Sequence, residues 1–151
     1  MNLSREARLV SAVILIAVPT VMYGGLTLLG VLTGGSAGLL PGNLQLDDTQ
    51  AALWRAGHAH AGVWLIISLL LQLFLDAARL ATPLLWLARI SAPVAAVTVS
   101  AGFFGLAFAP AFRWVLYFGG ASLVVAVLLT AIGLLRGGSA REHSMASDDR
   151  L

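Results

Sequence analysis

The run Trp54-Arg55-Ala56-Gly57-His58-Ala59-His60-Ala61-Gly62 gathers two of the chain's three histidines and one arginine. A neutral imidazole can ligate a haem iron or another metal ion, or hydrogen-bond a quinone carbonyl, and a guanidinium can hold an anionic group. On a regular helix the rings of His58 and His60 point about 160° apart. They cannot chelate one ion together, so each is a separate candidate ligand. The face of His58 continues through Gly62, Leu65, Leu69 and Gln72, and that of His60 through Trp64, Ile67, Leu71 and Phe74. The first face is smaller and more polar, which directs His58 toward the bundle interior. Gly57, Ala61 and Gly62 leave the space that a flat macrocycle on an axial histidine requires. His60 is expected to meet a neighbouring helix, a partner or the headgroup zone. Arg55, three residues before His58, is within reach of a haem propionate, a lipid phosphate or Asp48. The plainer alternative is that both histidines only hydrogen-bond to a neighbouring helix, to lipid or to water, and that Arg55 snorkels.

Little else in the chain offers chemistry. There is no cysteine, which excludes disulfides, thiolate zinc sites, iron–sulfur clusters and the disulfide-forming quinone reductases. No Asp or Glu is expected inside a span, so a carboxylate-coupled antiporter is disfavoured. No serine motif accompanies Asp47, Asp48 and His58 as a hydrolase would need. The basic residues are all arginines at the ends of apolar runs, not clustered on one face, so nucleic acid is not an expected partner. The third histidine, His143, is expected to be solvated in the tail.

The elements that must position the histidines follow from composition. The chain has 151 residues, is 59% hydrophobic and only 11% charged, and its mean hydropathy is +0.91. A soluble domain carries about 25% charged residues, so lipid must cover most of this surface. About 20 apolar residues cross a bilayer as a helix, and four stretches qualify: 9–32, 53–75, 84–108 and 112–135. The expected fold is an all-α integral membrane protein, an up-down bundle of four transmembrane helices. Residues 1–136 form the transmembrane domain and 137–151 a disordered cytoplasmic tail. Residues 33–50, rich in Gly, Ser and Asn and containing Pro41, read as a loop whose last residues cap helix 2. Thr82 reads as the N-cap of helix 3 with Pro83 at its first position. Pro110 separates helices 3 and 4, and Arg136-Gly137-Gly138 is expected to end helix 4. Ala92, Ala96 and Ser100 form a small-residue stripe on helix 3 that lets another helix approach.

Four spans place both termini on one side. Arg5, Arg8, Arg79, Arg89, Arg136, Arg141 and Arg150 share that side, against Arg55 and Arg113 on the other. The positive-inside rule makes both termini cytoplasmic. Trp54, Trp114 and Tyr117 then fit an outer aromatic belt, Trp86 an inner one, and Arg89 is expected to snorkel to the inner headgroups. His58 and His60 lie roughly 27 and 24 Å along the helix from Asp76, near the outer edge of the hydrocarbon. The Ala, Gly, Leu and Arg bias without lysine resembles a GC-rich bacterial coding sequence, which points to a bacterial plasma (inner) membrane.

Arg55-Ala56-Gly57-His58, at the outer end of a second helix that descends toward the cytoplasm, resembles the start of helix 2 in the catalytic subunits of haem-copper oxidases and nitric oxide reductases. In those subunits an Arg-x-x-His pattern supplies an axial ligand of the low-spin haem. The resemblance implies that His58 ligates haem b and that Arg55 approaches a propionate. It is confined to this segment: those subunits have many more helices, and their other haem and copper histidines have no counterpart here. An oxygen-reducing centre is therefore excluded. The expected function is a haem-binding, or metal- or quinone-binding, redox-associated module rather than an enzyme on its own. Cofactor contacts fall to His58, His60, Arg55 and Gly62, and metal contacts to His58 and His60. One inward histidine per chain would place a bis-histidine haem on the axis of a homo-oligomer. The alternative is a non-catalytic accessory or assembly subunit of a larger membrane complex.

Overall fold

The structure, a computed structural model, describes residues 3–35 and 44–148, with side chains described as far as residue 137. Among them there are no strands. The four long helices are α1 (Arg5–Leu32), α2 (Asp48–Ala77), α3 (Thr82–Leu106) and α4 (Arg113–Asp148), with a short 3-10 turn at Pro110–Phe112. Each is long and apolar enough to cross a membrane, the apolar part of the last being Pro110–Gly137. The helices exceed the apolar runs because polar caps close them. Ser4 Oγ accepts from the Ala7 N–H at 3.1 Å and starts α1. Asp47 and Gln50 form a reciprocal capping box on α2. At the end of α1, Gly34 takes a left-handed φ of 61°, and the Gly35 N–H reaches back to the Gly30 carbonyl at 2.8 Å, a glycine C-cap.

Three expectations change. Ala81, not Thr82, is the N-cap of α3, without a side-chain cap; Thr82 is already helical, leaving Pro83 at the second position, where its missing N–H still costs nothing. Pro110 does end α3, but a 3-10 turn intervenes before α4. Helix α4 continues through Arg136-Gly137-Gly138, because extending a long formed helix costs only about 1 kcal/mol per glycine. The expected tail 137–151, His143 included, otherwise falls outside the described side chains, as does the centre of the first loop with Pro41.

α3 is the central element. It packs along both α2 and α4, whereas α1 lies on α2 and barely meets α3. The small-residue stripe explains this: Ala92 packs with Leu71 and Ala126, and Ala96 with Ile14 and Leu65. It therefore serves mainly the contacts with α2 and α4, and through Ala96 the slight one with α1. Against α4 the approach is tight at Gly102, where a Cβ would sit 2.8 Å from the Leu116 backbone, and at Gly119, where it would sit 2.8 Å from the Val99 backbone nitrogen. Arg79 fastens the end of this pair, its N–H donating to the Gly133 carbonyl at 2.8 Å. The end of the bundle holding Ser4, Asp76 and Gly133 is called proximal below, and the end holding Leu32, Asp48 and Arg113 distal.

Candidate functional site

Two polar sites stand out in the bundle, and only the distal one was expected. Helix α2 carries both, His58 and His60 near its distal end and Gln72 and Asp76 near its proximal end.

At the distal site His58 is half-buried in the contact between α1 and α2. Its Cε1–Nε2 edge lies against Gly25, where an added Cβ would stand 2.9 Å from both atoms. A glycine in α1 is what lets the imidazole seat there. No hydrogen-bond partner engages the ring among the described residues. Toward α3 the buried position is Gly57, with Phe103 and the Ser100 carbonyl 3.2 Å from where its Cβ would be. His58 thus sits in the α1–α2 seam and not on the central α3. His60 turns to α3: its ring centroid is 4.8 Å from that of Phe103 and 5.8 Å from that of Trp64. Its Nδ1 lies 2.7 Å from the Ala56 carbonyl oxygen and therefore carries the proton that bridges them. Gly62 faces open space. Arg55 is exposed, and it makes no ion pair with Asp48; the one ion pair among the described residues joins Arg89 and Asp76.

One turn proximal to His58, a groove of about 350 Å³ opens between α1, α2 and α3. Ala17, Thr20 and Val21 form its α1 wall, Ala61 and Leu65 its floor, and the Ala96-to-Phe104 stretch of α3 its far wall. It is almost wholly apolar. Ser100, one of its two hydroxyl residues, already donates to the Ala96 carbonyl at 2.7 Å. Trp64, packed on the Ile14–Leu65–Ala96 cluster beside the groove, keeps a buried indole N–H that bonds to nothing.

The rings of His58 and His60 face different helices, so a single chain does not offer one haem two axial ligands, and the Cε1–Nε2 edge of His58 lies against Gly25. A chelated metal ion finds no better donors, because no three His, Cys, Asp or Glu residues converge among the described residues.

The proximal site escaped sequence reasoning. Asp76 Oδ2 accepts from the Ser4 N–H at 2.8 Å and Oδ1 from the Ser4 hydroxyl at 2.7 Å. Arg89 Nη2 also donates to Asp76 Oδ1, and Nη1 donates to Gln72 Oε1 at 3.1 Å. Gln72 returns a bond from Nε2 to the Arg89 carbonyl at 3.1 Å. Arg89 is 2% exposed, so it does not snorkel. The correction has a physical cause: Gln72 and Asp76, one turn apart on α2, lie level with Arg89 across the tight α2–α3 hairpin, and a paired guanidinium is better placed there than an extended one. The i, i+4 polar pair next to a hairpin was the available signal. This network ties α1, α2 and α3 together at the proximal end.

Comparison with protein-family models, curated proteins and solved structures gives no match.

Proposed function

We propose that the chain is a multi-pass bacterial inner-membrane protein, both termini cytoplasmic, that binds a quinone-class amphiphile in the groove beside His58 near the outer surface. The observation that carries this reading is the half-buried His58 imidazole, which has no hydrogen-bond partner although it lies inside an apolar helix one turn from an apolar groove. An ionisable residue at membrane depth is costly and usually functional. A carbonyl on a planar ring would give an imidazole N–H an acceptor, and the unpaired Trp64 indole N–H offers a second donor nearby. The apolar tail of such a molecule matches the groove walls, and the bilayer is the partner that covers the remaining apolar surface.

Orientation rests on the arginines. With Arg89 withdrawn into the interior, six still mark the proximal side against Arg55 and Arg113, so the positive-inside bias survives. The chain supplies binding and orientation, not a reaction of its own.

Titration of the detergent-solubilised protein with a short-tailed benzoquinone, followed by tryptophan quenching, tests the reading. Saturable quenching that weakens at least tenfold in His58→Ala, with little change in His60→Ala, is expected. Quenching unaffected by His58→Ala would contradict it, and a Soret band lost in that variant would establish haem as the ligand instead.

The accessory-subunit reading draws on a different observation. Only 6% of the α1 span is buried, against 39% of the α3 span, which leaves α1 with a free face for another membrane subunit. Recovery of a partner at fixed stoichiometry would favour it.

A further inference from the structure

We infer that the groove between α3 and α4 seats an acyl chain of an anionic phospholipid from the proximal leaflet, with its phosphate held by Arg79 and Arg136. In the proposed topology that leaflet is the cytoplasmic one. This site is separate from the groove beside His58 and uses neither histidine.

Three observations converge. First, the groove has the length of one leaflet. Its α3 wall runs from Pro83, in the first turn of the helix, to Val94, about 16 Å along the axis, against about 15 Å for half of a hydrocarbon core. It starts at the proximal interface and ends near the bilayer centre, as a chain entering from that side does. Second, its walls suit a hydrocarbon chain. They are almost wholly apolar; of their two serines, Ser122 donates its hydroxyl to the Phe118 carbonyl at 2.9 Å and Ser91 is buried.

Third, two arginines stand at the proximal mouth. Arg136 lies eleven residues beyond Val125 of the α4 wall, which on a helix returns to within about 20° of the same face. Arg79 precedes Pro83 by four residues, and its backbone N–H is fixed to the Gly133 carbonyl. Its Cγ lies 3.9 Å from where a Gly137 Cβ would stand, so its stem rests on the turn of α4 that carries Arg136. Both side chains are exposed, and neither shares in the one ion pair among the described residues. Two guanidiniums without a carboxylate, at headgroup depth, suit a phosphate. Trp86, in the groove wall one turn beyond Pro83, adds the indole expected at an interface. A second copy of the chain fits this face less well, because a two-fold axis along the membrane normal would bring its own proximal arginines against this pair.

Trp86 is itself the reporter. The full chain is reconstituted in phosphatidylcholine bilayers containing a small fraction of either phosphatidylglycerol or phosphatidylcholine with brominated acyl chains. The quenching compared is that of the fluorescence component missing from Trp86→Phe. A preference of roughly tenfold for the brominated phosphatidylglycerol is expected from two arginines near the headgroups. It should fall to near equality in Arg79→Gln with Arg136→Gln. It should persist in Arg5→Gln with Arg8→Gln, an exposed pair at the same end of α1. Ala121→Phe, which fills the groove from an exposed position in its wall, should abolish the preference with both arginines in place. Equal losses in the two arginine pairs would reduce the effect to general surface charge and overturn the site. No preference, or one unchanged by Ala121→Phe, would overturn the seating of the chain. Absence of quenching by either lipid would mean that a second copy or another protein covers the groove, and would overturn the proposal as well.

Discussion

At the scale of single residues, the two ionisable sites differ in how fully they are paired. Arg89 is buried, and its charge is answered by Asp76; Gln72 and Ser4 accept further hydrogen bonds from its Nη atoms, and its Nε–H is left without a partner among the described residues. Removing one partner of such a pair strands the other charge, whereas removing both is mild. Asp76→Ala is therefore expected to lower stability by about 3–5 kcal/mol, and Asp76→Ala with Arg89→Leu by clearly less than the sum of the single changes. Thermal unfolding in detergent, followed by circular dichroism, reads both. His58 is the opposite case, a polar ring seated against a glycine without a hydrogen bond. Adding a methyl at Gly25 should disturb it: Gly25→Ala is expected to raise the rate at which diethyl pyrocarbonate modifies His58, measured by peptide mass spectrometry. An unchanged rate would mean the ring does not depend on this seat. The sequence singled out His58 by its rarity in an apolar chain, but its neighbour was out of reach, because contact with Gly25 depends on how α1 lies on α2. The burial of Arg89 was out of reach for a related reason, since its partners are on other elements.

At the scale of elements, the helices themselves were legible from long apolar runs, and their packing was only partly so. Asp47 and Gln50 announced the start of α2, and the small residues of α3 announced a helix contact. Which helices use that stripe depended on the whole bundle, where Ala92 and Ala96 turn to different neighbours. The closest crossing, α3 on α4, depends on glycine. Gly119→Leu would force the Val99 backbone away and is expected to cost about 1–3 kcal/mol by overpacking, visible as a lowered unfolding temperature. An equal substitution at Gly120, where a Cβ meets nothing within 4 Å, should leave that temperature within experimental error. If the two glycines behave alike, the described crossing is not the one that matters.

At the scale of the whole molecule, three helices form a packed unit and the fourth, α1, is strapped to its side at the two ends. Trp54, edge-on to Phe104 and Phe108, gathers with Trp114 and Tyr117 at the distal end, as an interfacial belt would. In the proposed topology that end faces outward. A membrane-impermeant thiol reagent applied to intact cells should thus label Gln45→Cys and spare Leu3→Cys, and the reverse pattern would invert the orientation. The molecule also offers a rival apolar groove of about 660 Å³ between α3 and α4, lined by Trp86, Ile90 and Phe118 among others; neither groove has an ionisable side chain in its walls, and the smaller one is favoured because His58 lies one turn from its floor. The most direct measurement is photo-crosslinking with an azido-benzoquinone in membranes, with peptide mapping of the adducts. Adducts on the α1, α2 and α3 segments around Val21, Ala61 and Ser100, lost in His58→Ala, are the predicted result. Adducts confined to the α3–α4 groove, or unchanged by His58→Ala, would contradict the assignment of His58 as the ligand-binding residue.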